Sequence, residues 1–149
     1  MKLVILGKGG QGVLFFSRII AKAMINKGLS VKATEIKGMA KRGGLVEVQM
    51  KIGEGKSPLI KRGGADLVVL LSNEFFDYAR SFSNEIFTFE ERDIKKAFSL
   101  VKGRYINTFL LGVFVKKSRM FKCEDFLSVL DEENEKSFLK GCEYGGENV

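Results

Sequence analysis

The sequence predicts an α/β fold: a doubly wound, mostly parallel sheet with a helical C-terminal end. Three observations carry that expectation. A short apolar run, Lys2–Leu6, ends in a glycine-rich turn that opens a segment of helical period. A continuous apolar run, Asp66–Leu71, reads as a buried central strand. Beyond residue 90 the periodic segments read as helices.

The elements follow in order. Lys2–Leu6 is a buried parallel strand. Val13–Lys27 is a helix, with Val13, Phe16, Ile20 and Ala23 at helical spacing and Gly28 as its stop. Ser30–Ile36 is a second strand and completes a βαβ unit. Residues 37–44 form a basic loop. In the strand that follows, Val46, Val48, Met50 and Ile52 alternate with Glu47, Gln49 and Lys51. That period of two predicts one solvated face and a place nearer the sheet edge than the first strand. A loop from Gly53 to Gly64 holds the only proline, Pro58. After Asp66–Leu71, Ser72 or Asn73 can cap a short helix through Phe82. Glu85–Phe89 is a last strand. Helices are expected near 91–101, 106–117, 123–130 and 132–141, with Ile106, Leu110, Val113 and Phe114 sharing one face of the second. No repeat, low-complexity tract or linker divides the 149 residues, so one domain is expected.

Composition narrows the chemistry. The chain is 45% hydrophobic and 29% charged, as globular proteins are. Its longest apolar stretch, Phe109–Val115, is too short to cross a bilayer. Met1 and Lys2 lead straight into a strand with no visible leader, so a soluble cytoplasmic chain is expected. There is no histidine, which removes the commonest general base and every Ser-His or Cys-His arrangement. Cys123 and Cys142 lack CxxC spacing, and two thiols cannot by themselves hold an iron–sulfur cluster. On a cytoplasmic reading they are expected to be ordinary packing or surface thiols, not a disulfide.

The net charge of +7 is unevenly spread. Residues 1–64 hold 13 Lys/Arg against 3 Asp/Glu, whereas residues 65–149 hold 12 against 15. The basic half is also the glycine-rich half, which points to an anionic ligand or an acidic partner surface, the alternative being a solvated basic face. Aromatic residues do not interleave with the basic ones, which argues against nucleic acid.

Two segments are site-like. Gly7, Gly9 and Gly12 fit a GxGxxG pattern between a strand and a helix, the context in which that pattern can receive a phosphate. A turn that only packs helix on strand is the alternative. In a dinucleotide site an acidic residue should close the second strand, and Glu35 is near that place. Lys8, Gly10 and Gln11 are nonetheless unusual for that fingerprint. The second segment is Arg42 with Gly43 and Gly44, a guanidinium beside two small residues at the expected carboxyl edge of the sheet.

Taken together, these segments resemble one family. Gly7-Lys8-Gly9-Gly10-Gln11-Gly12, Glu35-Ile36-Lys37-Gly38-Met39-Ala40-Lys41-Arg42-Gly43-Gly44, and Ser57-Pro58-Leu59-Ile60 before Ala65–Leu70 are similar in order and spacing to the gamma-type subunit or domain of 2-oxoacid:ferredoxin oxidoreductases. This is the pyruvate/ketoisovalerate oxidoreductase group, and the most similar variant is the indolepyruvate oxidoreductase beta subunit. Asn107–Gly112 and Ser137–Gly141 resemble the family's C-terminal helices. Family members are usually longer where this chain passes from Phe76 to Phe89, so the domain reads as shortened between about 76 and 105.

The resemblance implies a Rossmann-like fold and a division of labour. Partner subunits would carry thiamine diphosphate and iron–sulfur clusters, decarboxylate the 2-oxoacid and pass electrons to ferredoxin. This chain would be an accessory, non-catalytic subunit on the coenzyme A side of the reaction. Its glycine loop, Gly7 to Gly12, would hold the coenzyme's pyrophosphate. Lys8, Lys41 and Arg42 would neutralise phosphates beside Gly43 and Gly44, and Gln11 would face the ligand or the partner. No metal, nucleic acid or membrane is implied. The other readings are a stand-alone nucleotide- or coenzyme A-binding module and a purely structural docking subunit.

Overall fold

The computed structural model describes residues 1–37 and 44–147. The chain divides into two compact units, Met1–Thr88 and Phe89–Val149. The first is a five-stranded sheet with its helices, and the second is helical.

In the first unit the elements run β1 (Lys2–Lys8), α1 (Val13–Asn26), β2 (Val31–Lys37), β3 (Leu45–Ile52), β4 (Leu67–Leu70), a 3-10 turn at Asn73–Phe75, α2 (Phe76–Arg80) and β5 (Ile86–Thr88). The sheet order is β2-β3-β1-β4-β5. β1 pairs in parallel with β4, and β4 with β5, but β3 lies antiparallel between β1 and β2. The sheet is therefore mixed, and the mostly parallel, doubly wound expectation is corrected. β2 does run in the direction of β1, as a βαβ unit requires. The hairpin from β2 to β3 then fills the place beside β1, so the unit is split.

β3 lies nearer the sheet edge than β1, as expected, but the solvated face expected for it is corrected. It has a neighbour on both sides, and its polar residues Glu47 and Gln49 are buried, 2% and 5% exposed. The register pairs Leu6 with Glu47 and Val4 with Gln49, which puts these polar groups on the Val4/Leu6 face. That face is covered by Ile60, Ala65, Ala79 and Phe82, with Phe75 and Tyr78 at its margin. Glu47 and Gln49 are tolerated there because their oxygens are satisfied. Gln49 Nε2 donates to Glu47 Oε2 at 2.5 Å, the Ile60 amide donates to Gln49 Oε1 at 2.6 Å, and the Tyr78 hydroxyl donates to Glu47 Oε1 at 2.5 Å. Arg62 stacks 4.7 Å from both the Tyr78 and Phe82 ring centroids and donates to the Ser81 hydroxyl. Helix α1 packs on β1, β2 and β3 through Val13, Phe16, Ile20 and Met24.

The second unit comprises α3 (Glu91–Leu100), a 3-10 turn at Gly103–Tyr105, α4 (Ile106–Ser118), a 3-10 turn at Cys123–Val129 and α5 (Glu132–Glu147). α4 is buried from Thr108 through Val115, not along one face as its spacing suggested. α5 runs six residues past the expected stop at 141. Gly141 and Gly145 lie against α4 and do not end the helix. An alanine Cβ at Gly112 would meet the Phe138 carbonyl and come within 3.1 Å of Gly141 Cα, so the two helices cross with backbones in contact. Asp93 is 1% exposed and is satisfied by Lys117 Nζ at 3.2 Å, the Tyr144 hydroxyl at 3.0 Å and the Glu90 amide at 2.8 Å. Burial and the neighbouring Asp93 carboxylate raise the Tyr144 hydroxyl above its ordinary pKa.

Cys123 and Cys142 are joined as a disulfide, which corrects the free-thiol expectation. Packing of the 3-10 turn against α5 brings their Cα atoms to 6.6 Å, within bridging range. A spacing of 19 residues gives no hint of that contact. The segment expected as a helix at 123–130 is this 3-10 turn. Ser72 precedes the turn at Asn73 without making a side-chain cap bond, contrary to the capping role expected for it. Among the described residues no helix is long and apolar enough to cross a membrane.

Candidate functional site

The glycine turn begins later than its sequence pattern. Gly7 and Lys8 are still in β1, opposite Val46 and Leu45 of β3. Only Gly9–Gly12 turn the chain into α1. Gly7 is required by close approach, since a Cβ there would lie 2.8 Å from Val13 Cγ2 and 3.1 Å from Leu71 Cβ. Gly12 is required by conformation: it is the N-cap of α1 with φ 95°, in the left-handed region. Gly10 also has a positive φ of 90°.

The turn satisfies several of its own donors. Gln11 folds back so that its Oε1 accepts from the Lys8 amide at 2.7 Å, and its amide donates to the Lys8 carbonyl at 3.1 Å. The Gly9 amide donates to the Gly44 carbonyl at 3.0 Å. Among the described residues no side chain caps α1, which leaves the amides of its first turn in the orphan state typical of a helix start. The positive end of the helix dipole faces the same place, and that combination suits an anion.

Lys8 does not stand alone. Its ammonium lies 2.7 Å from Glu74 Oε2, in the turn after β4, with both side chains substantially exposed. Such a pair contributes less than about 1 kcal/mol, so a phosphate could displace the carboxylate. β1 and β4 are parallel neighbours, which brings the turns after them to one edge. Glu74 was not among the sequence candidates. Nothing local marks it, since its role follows from the β1–β4 pairing.

Of the second segment only Gly44 is described, and it reaches this edge through the β2–β3 pairing. Lys37 pairs with Val46 and Lys8 with Leu45, so the hairpin between β2 and β3 opens at the carboxyl end of β1. Gly44 is thereby bonded to the glycine turn. Lys41, Arg42 and Gly43 lie outside the described residues. Glu35 is in β2, with β3 between it and β1. It is therefore about 10 Å from β1 across two strand spacings. In a dinucleotide site the acidic residue sits on the strand next to the glycine turn, so this topology does not supply that geometry. Among the described residues, no three or more His, Cys, Asp or Glu side chains converge as a metal ion would need.

Comparison with known proteins adds identity to this geometry. A family model described as pyruvate ferredoxin/flavodoxin oxidoreductase matches residues 2–86, which include the glycine turn, the β2–β3 hairpin and β4. Indolepyruvate oxidoreductase subunit IorB of Archaeoglobus fulgidus is 49% identical over 71 residues, 48% of this chain and 35% of that protein. The match thus spans about a third of that relative's length. Among solved structures, pyruvate oxidoreductase subunit PORC of Thermotoga maritima shares the fold with a TM-score of 0.72 at 18% identity, covering 99% of this chain and 95% of that one. The 2-oxoglutarate:ferredoxin oxidoreductase of Magnetococcus marinus, solved with 2-oxoglutarate, coenzyme A and succinyl-CoA, superposes with a TM-score of 0.71 at 16% identity. That superposition covers all of this chain and 31% of the larger one. The chain belongs to the pyruvate ferredoxin/flavodoxin oxidoreductase family.

Proposed function

We propose that the chain is the gamma-type accessory subunit of a 2-oxoacid:ferredoxin oxidoreductase, an enzyme that oxidatively decarboxylates a 2-oxoacid to an acyl-CoA. The family match over residues 2–86 carries this reading. Thiamine diphosphate and the iron–sulfur clusters belong to partner subunits, which deliver electrons to ferredoxin, and the complex is cytoplasmic. Residues 1–149 act as one gamma-type domain, shortened between about 76 and 105. The absence of histidine and the pairing of both cysteines support a non-catalytic role for this chain.

Coenzyme A is the ligand assigned to the glycine turn. The first-turn amides of α1 and the backbone of Gly9, Gly10 and Gly12 would receive a phosphate. Lys8, Lys41 and Arg42 would supply charge, and Gly43 and Gly44 close backbone approach. When bound, the coenzyme supplies the thiol that accepts the acyl group. Gln11 would face the ligand or the partner while its Oε1 braces the turn through the Lys8 amide. A docking role for the same edge is favoured by one observation: the Gly9 amide and the Lys8 ammonium already have partners within the chain.

Two measurements test this. Gentle anaerobic purification of the tagged chain from its native source should recover a thiamine-diphosphate subunit and an iron–sulfur subunit; recovery of the chain alone would sink the subunit reading. Calorimetry of that complex with coenzyme A should show binding that Glu74→Gln tightens by about 3-fold, because the carboxylate no longer competes for Lys8. Unchanged affinity in that variant would leave the edge as a docking surface.

A further inference from the structure

The C-terminal unit holds a feature that the subunit role does not use. The Cys123–Cys142 disulfide joins two sulfurs in different surroundings. Cys142 is buried in α5, whereas Cys123 is half-buried and lines an open pocket of about 660 Å³. Among the described residues, Lys116 and Arg119, at the end of α4, and Lys122 also line it, against one carboxylate, Glu124. A pocket of this size can hold a small molecule, and its charge favours an anion.

We propose that Cys123 is a thiol-exchange site for low-molecular-weight thiols that carry a carboxylate, sulfonate or phosphate. The incoming thiolate attacks Cys123 Sγ and forms the new S–S bond. The electron pair of the Cys123–Cys142 bond leaves with Cys142 Sγ, which takes a proton from solvent. The product is a mixed disulfide on Cys123 and a thiol at Cys142, so the exchange needs no external oxidant or reductant. Attack of the Cys142 thiolate on Cys123 Sγ reverses it and releases the thiol.

Three features direct the reaction. Access selects the sulfur, because Cys123 borders the pocket and Cys142 does not. The cationic lining concentrates an anionic thiol and favours its thiolate form. The unit does not depend on the disulfide alone to hold the turn in place. The Phe121, Phe126 and Phe138 rings pack in sequence, with centroids 6.0 Å and 5.3 Å apart, and tie the turn to α5.

The test uses the full chain purified without reductant. It is treated with 2-mercaptoethanesulfonate, 2-mercaptoethanol or 2-aminoethanethiol at matched thiolate concentration, then quenched, alkylated and mapped by mass spectrometry. The sulfonate should open the disulfide about 10-fold faster than the aminothiol at low salt, a gap that closes at high salt. Its adduct should map to Cys123. Lys122→Glu, an exposed substitution, should erase the preference while leaving the rate with neutral 2-mercaptoethanol and the circular dichroism unchanged. Equal rates for the three thiols, an adduct on Cys142, or two reduced cysteines in the chain purified in air would each overturn the proposal.

Discussion

Tyr78 shows how one hydroxyl makes a buried carboxylate tolerable. Its phenol donates to Glu47 Oε1 at 2.5 Å, on a sheet face that also carries Val4, Leu6, Val68, Leu70 and Gln49. Burial first, then the Glu47 hydrogen bond and charge, push the Tyr78 pKa from its ordinary 10 up to about 12. Removing the hydroxyl takes a donor from a carboxylate that is 2% exposed, so Tyr78→Phe should cost about 1–3 kcal/mol at neutral pH. A raised tyrosine pKa means that the folded state holds the proton longer than the unfolded one. The contribution is therefore complete below pH 10 and is lost as pH rises from 10 towards 12. Denaturant titrations of both proteins across that window should show their stabilities converging. A constant gap would mean that the hydroxyl acts only through packing.

At the scale of elements, the crossing of α4 and α5 rests on missing side chains. Gly112 and Gly141 face each other, and a Cβ at Gly141 would meet the Phe109 carbonyl and lie 3.2 Å from Gly112 Cα. Helices this close exclude even a methyl group, because the atoms it would strike are backbone. Gly141→Ala should therefore destabilise the C-terminal unit by about 2–4 kcal/mol, although alanine is the better helix former. Gly103→Ala is the control: a Cβ there meets nothing within 4 Å and should leave thermal unfolding unchanged. Equal effects of the two substitutions would refute the close-crossing account. The helix starts differ in how they are capped. Asp131 accepts the Asn134 amide at 2.9 Å ahead of α5, which holds its carboxyl below the usual carboxylate range. Among the described residues no side chain caps α1.

At the scale of the whole molecule, the excess of positive charge lies in the same stretch of chain that builds the glycine-turn edge. Residues 1–64 carry 13 of the 25 Lys/Arg but only 3 of the 18 Asp/Glu, and they contribute both the glycine turn and the hairpin beside it. If that edge docks on acidic surfaces of partner subunits, association should weaken as salt rises, mainly through a slower on-rate. Surface plasmon resonance of the chain on its purified partners over a salt series would check this. An on-rate indifferent to salt would mean that apolar contacts dominate. Much of this edge was legible in the sequence. The glycine pattern, the strand before it, the helix after it and the basic hairpin all lie within 44 residues. Glu74 was not legible, because only the β1–β4 pairing brings it to Lys8.

The sequence by itself determined what depends on near neighbours in the chain. The turn after β1 follows from the pattern of Gly7, Gly9 and Gly12, α1 from apolar residues at helical spacing, and family membership from short motifs in order. Tertiary structure decided what depends on distant partners. The alternation of Val48 and Met50 with Glu47 and Gln49 fits a half-solvated strand and a strand buried on both faces equally well. Pairing with β1 and β2, and cover from Ile60 and Tyr78, selected the second. The same holds for the antiparallel placement of β3, the Cys123–Cys142 disulfide and the meeting of Gly112 with Gly141. Each needs two segments to arrive at one place, and a local pattern has no means of recording where its partner will be.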